Sequence, residues 1–360
     1  MTPLPRWTDP NTGKHQPQTQ KFQSTGIDTS SKLGWTSMSN YEPHLPNCSI
    51  VFTALCSDPS NAGYFIMIFS ISVAAMWVVF TVYYIAKSLS LYGCCPEVYA
   101  SFENGLCYRF IKGVDLDYKT VRTENIARLV CQQTVKMHLV DISSHCSKEP
   151  CLFPKLKNFL SLIPHEYLNG STNHCLRPQL PSRAILEAEV KFLEGHLTKL
   201  KSPIVFCHND LLLKNIIFEE ESNSVKFIDL EYASYNYQAF DIGNHFCEFA
   251  GVDTVDYTKY PDREFQRNWL RIFLGFWFQA QGRDQSEVTA NDVNLLYVQV
   301  NKFALASHMM WGLWSIVQSI HSTINFDYIT QVQTSEYAAI RLGEYFNRKD
   351  EFLSLQLPLD

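Results

Sequence analysis

Three short apolar runs, rich in β-branched side chains, constrain how this chain of 360 residues can fold: residues 204–206, 216–218 and 225–228. Runs of this length and composition predict buried strands. The polar residues 219–224 between the last two runs predict a turn, so that these runs form a β-hairpin. The hairpin would bring Asp229, at its end, back towards Asp210 and Asn215, which follow the first run. The pattern therefore predicts one point at which three distant polar side chains meet.

The spacing of Asp210, Asn215 and Asp229 is typical of the catalytic loop of a phosphotransferase. The Asn follows the first Asp by five residues, and the second Asp follows the Asn by 14. Phosphoryl transfer needs one carboxylate that orients and deprotonates the attacking hydroxyl. It also needs hard oxygen ligands, here an amide and a second carboxylate, that hold Mg²⁺ against the phosphates. The alternative is a tight turn that these side chains merely stabilise, and the match of both spacings disfavours it.

The sequence around this loop closely resembles the choline/ethanolamine kinase family. The similar stretches are residues 208–217 (HNDLLLKNII), 227–232 (FIDLEY) and 235–246 (YNYQAFDIGNHF). Residues 248–252 (EFAGV) are more similar to ethanolamine kinases than to choline kinases, whereas Cys247 follows the choline-kinase pattern. The resemblance extends from about residue 91 to about residue 357. It implies an α+β, protein-kinase-like fold with a mostly helical C-terminal lobe over residues 113–357.

The resemblance implies roles for five acidic or amide side chains near the loop. Asp210 would accept the proton of an amino-alcohol hydroxyl, and Asn215 and Asp229 would hold Mg²⁺. Glu231 and Glu248 would lie near this centre, where carboxylates suit a small cationic substrate. Phosphoryl transfer depends mostly on positioning and on neutralisation of charge, which agrees with these roles.

An aromatic wall around the substrate ammonium is also implied by the resemblance. Trp311 and Trp314 are three residues apart and share one face of a helix. Packing in the core is the alternative for two such residues, but cation–π attraction gives them a function. The third aromatic residue of the wall would be Tyr337, with Tyr328 as the other possibility.

Nucleotide contacts and two structural roles complete the expected site. The candidates for nucleotide binding are the hinge residues and two residues of the catalytic centre: Arg109, Phe110, Ile111, Leu212 and Asp229. Asp241 would support the catalytic loop by accepting hydrogen bonds from its backbone, and His208 would have a structural role in the same loop.

The segment before residue 91 does not fit this scheme. An active kinase of this type needs a glycine-containing loop over the phosphates, a basic residue on a strand and a helix Glu that pairs with it. Residues 1–90 contain none of these in recognisable form. The N-terminal lobe is therefore expected to be truncated or replaced, and residues 91–112 to be its remnant together with the hinge.

Two unlike segments stand in place of that lobe. Residues 1–60 are rich in polar residues and are expected to be disordered. Residues 64–86 are 23 uncharged positions, and as one helix of about 34 Å they would cross a bilayer. A buried helix or strands replacing part of the small lobe, or a segment from a variant exon, are equally compatible with this sequence.

Composition limits the partners and the compartment. The net charge of −6 and the lack of a basic stripe argue against binding of nucleic acid. The 11 cysteines are scattered without Cys-x-x-Cys pairs, which predicts reduced thiols in a cytoplasmic protein. The alternative location is a membrane tether through residues 64–86, with the kinase lobe in the cytosol. A homodimer, or a heterodimer with related kinases, is the expected kind of assembly.

The resemblance thus implies a transferase that phosphorylates ethanolamine with ATP and Mg²⁺, as the first step of the CDP-ethanolamine route to phosphatidylethanolamine. Two alternatives remain open on the sequence alone. One is a non-catalytic relative that lacks a functional ATP-binding lobe, and the other is a choline kinase.

Overall fold

The computed structural model describes residues 50–56, 64–69, 73–102, 105–143, 146–168, 180–252, 254–321 and 328–358. Side chains are described from residue 81 onwards within these ranges, except for residues 321–335.

A small lobe of four antiparallel strands and one helix forms the first layer. Its elements are β1 (Ile50–Cys56), β2 (Tyr64–Phe69), α1 (Val73–Leu91), β3 (Val98–Phe102) and β4 (Gly105–Arg109). The strands pair in the order β1-β2-β4-β3, and α1 packs against β3 and β4. Residues 91–112, which the sequence predicts to be a remnant of the N-terminal lobe with the hinge, contribute the strands β3 and β4 to this larger sheet.

The N-terminal segment differs in two places from interpretations that its sequence allows. Residues 64–86 are not one helix, because 64–69 form a strand that pairs with both β1 and β4. Nor is the segment 1–60 disordered throughout, since Ile50–Cys56 forms β1; residues 1–49 and 57–60 lie outside the described residues. No helix in the part of the chain that the structure describes is long and apolar enough to cross a membrane.

The large lobe is mostly helical. Its helices are α2 (Glu124–His138), α3 (Leu152–Leu162), α4 (Arg183–Leu197), α5 (Gln238–Cys247), α6 (Arg263–Ala280), α7 (Ala290–His321) and α8 (Tyr328–Ser354). Its strands are β5 (Val114–Asp115), β6 (Ile204–Cys207), β7 (Ile216–Glu219), β8 (Ser224–Phe227) and β9 (Ser234–Tyr237). They form one sheet in the order β5-β7-β8 and a separate β6-β9 pair. The predicted hairpin is confirmed as β7 and β8.

Local sequence signals explain where α4 begins and which face it buries. The hydroxyl of Ser182 accepts a hydrogen bond from the backbone N–H of Ile185, which satisfies one of the free donors of the first turn. Apolar residues recur at helical spacing and are all buried: Leu186, Val190, Leu193 and Leu197.

The helix α5 lies at the centre of the large lobe and every one of its residues is buried. It packs closely on α7 because Gly243 has no side chain at the crossing. A Cβ at Gly243 would lie 2.7 Å from the carbonyl oxygen of Val300 and 3.0 Å from the nitrogen of Ala304. Since α5 directly follows the strand beside the catalytic loop, this close crossing fixes the depth at which the loop sits.

Replacement of Gly243 by Ala should destabilise the protein by about 2 kcal/mol or more, because the new methyl group would force α5 and α7 apart. Denaturant unfolding followed by circular dichroism measures this. The matched control is Gly195→Ala in α4, where no atom of the described residues beyond the adjacent residues and the local helix backbone lies within 4 Å of the added Cβ. That substitution should stabilise the helix by up to about 1 kcal/mol. Equal effects of the two substitutions would contradict the close crossing.

Candidate active site

The catalytic loop begins where β6 ends, and Asp241 of α5 holds its backbone. The N–H of His208 donates to Asp241 Oδ2 at 3.1 Å, and the N–H of Asn209 donates to Asp241 Oδ1 at 2.7 Å. His138 of α2 adds a third hydrogen bond from Nε2 to Oδ2 at 2.9 Å. Asp241 thus accepts hydrogen bonds from the backbone of the catalytic loop, and His208 lies within that loop. Their structural roles stay a prediction.

The charge on Asp241 makes it a strong acceptor for these bonds. Burial by itself would raise the pKa of Asp241, but the hydrogen bond and charge of His138, the charge of His208 and the backbone N–H of Asn209 together hold it below the usual value. A carboxylate in that state accepts shorter and stronger hydrogen bonds than a neutral group does.

Asn209 has a left-handed backbone conformation, with φ of 66°. Its side chain compensates for the strain of this conformation, since Nδ2 donates to the carbonyl of Tyr232 at 2.9 Å. The Oδ1 atom accepts from Nδ2 of Asn236 at 2.8 Å. The turn therefore presents the next residue, Asp210, at a fixed position.

The hairpin places Asp229 beside the loop through two backbone contacts. The N–H of Ile228 donates to the carbonyl of Asn215 at 3.0 Å, and the ring Nε2 of His208 donates to the carbonyl of Ile228 at 2.9 Å. Asn215 in turn donates from Nδ2 to the backbone carbonyl of Asp210 at 2.9 Å, so its amide oxygen is not used in that bond. Asp210, Asn215 and Asp229 are thus brought together as the sequence predicted.

Three carboxylates of this centre have buried oxygens without a hydrogen-bond partner among the described residues. The atoms are Asp210 Oδ2, Asp229 Oδ1 and Glu231 Oε1. Such atoms are costly to bury, and their convergence indicates that a cation or a donor belongs between them.

The pKa values of the same carboxylates are raised. Burial, with the charges of Asp229 and Glu248, raises the pKa of Asp210 well above its ordinary value. Burial, with the charges of Asp229 and Asp210, does the same for Glu231, and burial raises the pKa of Asp229 to about 6. Negative charge of neighbouring carboxylates thus acts on Asp210 and Glu231, while Asp229 and Glu231 also share a hydrogen bond.

The two Trp residues form one wall with Tyr232. The indole Nε1 of Trp314 donates to the hydroxyl of Tyr232 at 2.9 Å, and the rings of Tyr232 and Trp311 meet edge to face at 5.4 Å. The two indoles lie 5.7 Å apart and both are buried. Burial and the charges of Glu231 and Asp210 raise the pKa of Tyr232, so this wall lies beside the carboxylates.

Glu248 and Tyr337 meet at a residue that the sequence did not single out. Arg341 of α8 donates from Nη1 to Glu248 Oε1 at 2.7 Å and to the hydroxyl of Tyr337 at 3.2 Å. The spacing of four residues between Tyr337 and Arg341 indicates that they share a helix face. No local pattern could have indicated the pairing with Glu248, which is 93 residues away in sequence.

The residues predicted to bind the nucleotide lie in two different environments. Leu212 is buried in the catalytic loop, whereas Arg109 is exposed at the end of β4 and is followed by the half-buried Phe110 and Ile111. It is the neighbouring Tyr108 that shares a small apolar cavity with Asp229, beneath α1. The sequence missed Tyr108, although its place in the last strand before the hinge was a usable signal.

The small lobe differs from the usual phosphate-binding arrangement. In kinases of this type a strand carries a basic residue and a helix carries a Glu that pairs with it. The strand β2 contains no Lys or Arg, and α1 contains no Asp or Glu.

Comparison with solved structures shows which fold this is. An ethanolamine kinase of Plasmodium vivax superposes with a TM-score of 0.67 at 23% identity, covering 83% of this chain and 81% of the other. A choline kinase of Cryptosporidium parvum gives a TM-score of 0.66 at 23% identity, covering 85% and 89%. The predicted α+β, protein-kinase-like fold is therefore confirmed.

Sequence comparison then gives the family. The chain is 44% identical over 272 residues to human ethanolamine kinase 1, which is 76% of this chain and 59% of the relative's length. The sequence model of the choline/ethanolamine kinase family matches residues 60–346. The protein belongs to the choline/ethanolamine kinase family, as the resemblance of its loop motifs implied.

Replacement of Asp229 by Asn should stabilise the metal-free protein at pH 7.5. The folded-state pKa of about 6 lies above the ordinary 3.8, so ionisation costs stability as the pH rises through this window. A shift of about two pKa units corresponds to about 3 kcal/mol at pH 7.5, and to about half of that at pH 5. Urea unfolding in EDTA at both pH values measures the difference between variant and wild type.

The control for this experiment is Asp350→Asn on the exposed surface of α8, which should change stability by less than about 0.5 kcal/mol at both pH values. A gain from Asp229→Asn that is equal at pH 5 and pH 7.5 would show that Asp229 is not a destabilising charge.

Proposed function

We propose that this protein transfers the γ-phosphate of ATP to the hydroxyl of ethanolamine and forms phosphoethanolamine. The observation that carries the proposal is the convergence of three unpartnered carboxylate oxygens, from Asp210, Asp229 and Glu231, beside an aromatic wall. The family and the 44% identity to a human ethanolamine kinase support this choice of substrate.

The donor set fits a divalent cation. Hard oxygen ligands suit Mg²⁺, and the buried Asp229 Oδ1 together with the amide oxygen of Asn215 would hold it. Bound there, Mg²⁺ supplies positive charge that neutralises the phosphates of ATP.

Asp210 is the proposed base. Its Oδ2 is buried and has no partner among the described residues, so it is available to accept a hydrogen bond from the substrate hydroxyl. The raised pKa of Asp210 reflects burial and neighbouring negative charge, and a cationic substrate in the same site would favour its ionised form. The carboxylate would then orient the hydroxyl and accept its proton during transfer.

The substrate ammonium would lie between aromatic faces and carboxylates. Trp311, Trp314 and Tyr337 supply electron-rich rings for cation–π attraction, and Glu231 and Glu248 supply opposite charge. A primary ammonium also donates three hydrogen bonds, which carboxylates satisfy and which a quaternary ammonium does not need. This difference favours ethanolamine over choline.

The nucleotide would bind between the lobes. Arg109, Phe110 and Ile111 would offer backbone groups to the adenine, and Leu212 would lie beneath it. Because β2 contains no basic residue, neutralisation of the phosphates would depend on Mg²⁺ more than in kinases that have one there.

The product would enter the CDP-ethanolamine route to phosphatidylethanolamine. Seven cysteines in the described part of the chain are free thiols: Cys94, Cys95, Cys131, Cys146, Cys151, Cys207 and Cys247. This supports a reducing compartment and hence the cytoplasm.

Purified protein should convert ethanolamine to phosphoethanolamine with ATP, and Asp210→Asn should lower kcat by about 10²- to 10⁴-fold, because the isosteric amide cannot accept the proton. Phosphorus NMR or a coupled ADP assay measures the product, with choline as the competing substrate. Asp350→Asn serves as the control and should keep full activity. Turnover that is equal in wild type and Asp210→Asn would refute the proposal, and a preference for choline would refute its substrate.

Removal of divalent metal with EDTA should abolish turnover, and Mg²⁺ should restore it. Asp229→Asn should raise the Mg²⁺ concentration needed for half-maximal rate by about tenfold or more, since it removes a charged ligand. A titration of the rate with Mg²⁺ at saturating ATP measures this. An unchanged Mg²⁺ requirement in the variant would mean that Asp229 is not a ligand.

A further inference from the structure

A single buried cation, Arg341, contacts the carboxylate that is proposed to bind the substrate ammonium. Arg341 and Glu248 are 1% and 3% exposed, and Nη1 donates to Oε1 at 2.7 Å. The two residues belong to different parts of the fold, since Glu248 directly follows α5 and Arg341 lies in α8. The ion pair therefore joins the helix that supports the catalytic loop to a helix nearly 100 residues later.

The other side of the same guanidinium leads to the aromatic wall. Nη2 of Arg341 donates to the hydroxyl of Ser307 at 2.9 Å, and Ser307 donates to Oδ1 of Asn244 at 2.7 Å. The same Oδ1 accepts from the indole Nε1 of Trp311 at 2.8 Å. All four side chains are buried, so this chain of hydrogen bonds is shielded from water.

Tyr337 is the third contact of the guanidinium. Its hydroxyl accepts from Nη1 at 3.2 Å, and the guanidinium carbon lies 5.8 Å from the centre of its ring. Arg341 is thus linked directly to Glu248 and Tyr337, and through Ser307 and Asn244 to Trp311. These are three of the five residues proposed to surround the substrate ammonium.

Stability does not explain the presence of such a pair. Removing two charges from water costs about as much as their attraction returns, and apolar residues of similar volume often serve stability better. What a buried guanidinium that donates from both Nη atoms does provide is direction, because its planar array of donors fixes several acceptors at once.

We infer that Arg341 is a positioning residue that assembles the ammonium pocket by fixing Glu248, Tyr337 and Trp311 relative to one another. The inference rests on the proposed function, in which these three residues bind the substrate. The inference also gives α8 a function, because its residues Tyr337 and Arg341 would form one side of the pocket.

The positive charge of Arg341 also affects the neighbouring carboxylates. It offsets the negative charge of the carboxylates and thereby lowers the pKa of Asp210, against the larger effects of burial and of Asp229 and Glu248.

The test compares Arg341→Met, Arg341→Lys and the control Arg348→Met. Arg348 lies on the same helix, seven residues later, and pairs with Glu344 and Glu351 at 2.7 and 2.9 Å. It has the same side chain and a similar ion pair, but it does not contact Glu248. Circular dichroism and thermal unfolding establish that each variant is folded.

The expected result is a selective loss of substrate binding. Arg341→Met should raise the KM for ethanolamine by about 100-fold while the KM for ATP changes by less than about twofold, because only the ammonium pocket is disordered. Arg341→Lys should recover about tenfold of this loss, since it keeps the charge but not the planar array of donors. Arg348→Met should leave both KM values within about twofold.

A double variant shows whether Arg341 acts through Glu248. If it acts in part through Glu248, Arg341→Met should raise the KM for ethanolamine by only about tenfold when Glu248 is already Gln, because the links to Tyr337 and Trp311 remain. Independent multiplication of the two effects would overturn the inference, as would equal losses of ethanolamine and ATP binding. If Arg341→Met does not fold, the same comparisons are made with Arg341→Lys, where an unchanged KM for ethanolamine would overturn it.

Stabilisation by ethanolamine separates this inference from the proposed function. Ethanolamine at saturating concentration should raise the Tm of wild type and of Arg348→Met, but not that of Arg341→Met. If wild type neither phosphorylates nor is stabilised by ethanolamine, the proposed function fails and the inference fails with it. If wild type does both and Arg341→Met equals it, only the inference fails.

Discussion

The carboxylate of Asp241 is the interaction on which the rest of the site depends. It lies at the centre of the large lobe, accepts two backbone N–H groups of the catalytic loop and receives a third hydrogen bond from His138 of α2. One buried charge therefore connects α2, α5 and the catalytic loop. Because α5 carries this charge and is pressed against α7 at Gly243, the position of the loop is set by helix packing rather than by the loop itself.

Sequence patterns over short stretches account for the elements whose stabilising contacts are close together in sequence. The hairpin of β7 and β8 was predicted from two apolar runs with a polar turn between them. The start and the buried face of α4 have an equally local explanation in its capping Ser182 and its apolar spacing. The catalytic loop was recognisable because its chemistry requires particular residue types at fixed intervals. These features are encoded over fewer than about 20 residues each, which is the range over which sequence periodicity is informative.

Long-range contacts account for what the sequence did not predict. An unbroken apolar stretch has no period that separates a strand from a helix, so residues 64–86 could not be divided before the pairing of β2 with β1 and β4 was known. The role of Arg341 could likewise not be predicted from the sequence, because its partner Glu248 is 93 residues away. An Arg in a helix is also common on protein surfaces. Tertiary contacts decide both cases.

The link between α8 and Glu248 has a consequence for how the protein forms during synthesis. The helix α8 is the last of the described elements in chain order, while Glu248 is made about 90 residues earlier. At about 5–20 residues per second, a ribosome leaves that carboxylate without its counter-ion for several seconds. During this interval Glu248 either stays in contact with water or binds a proton, because an unpaired charge is too costly to bury. The ion pair between Glu248 and Arg341, and with it the complete pocket, can therefore form only after α8 has been synthesised.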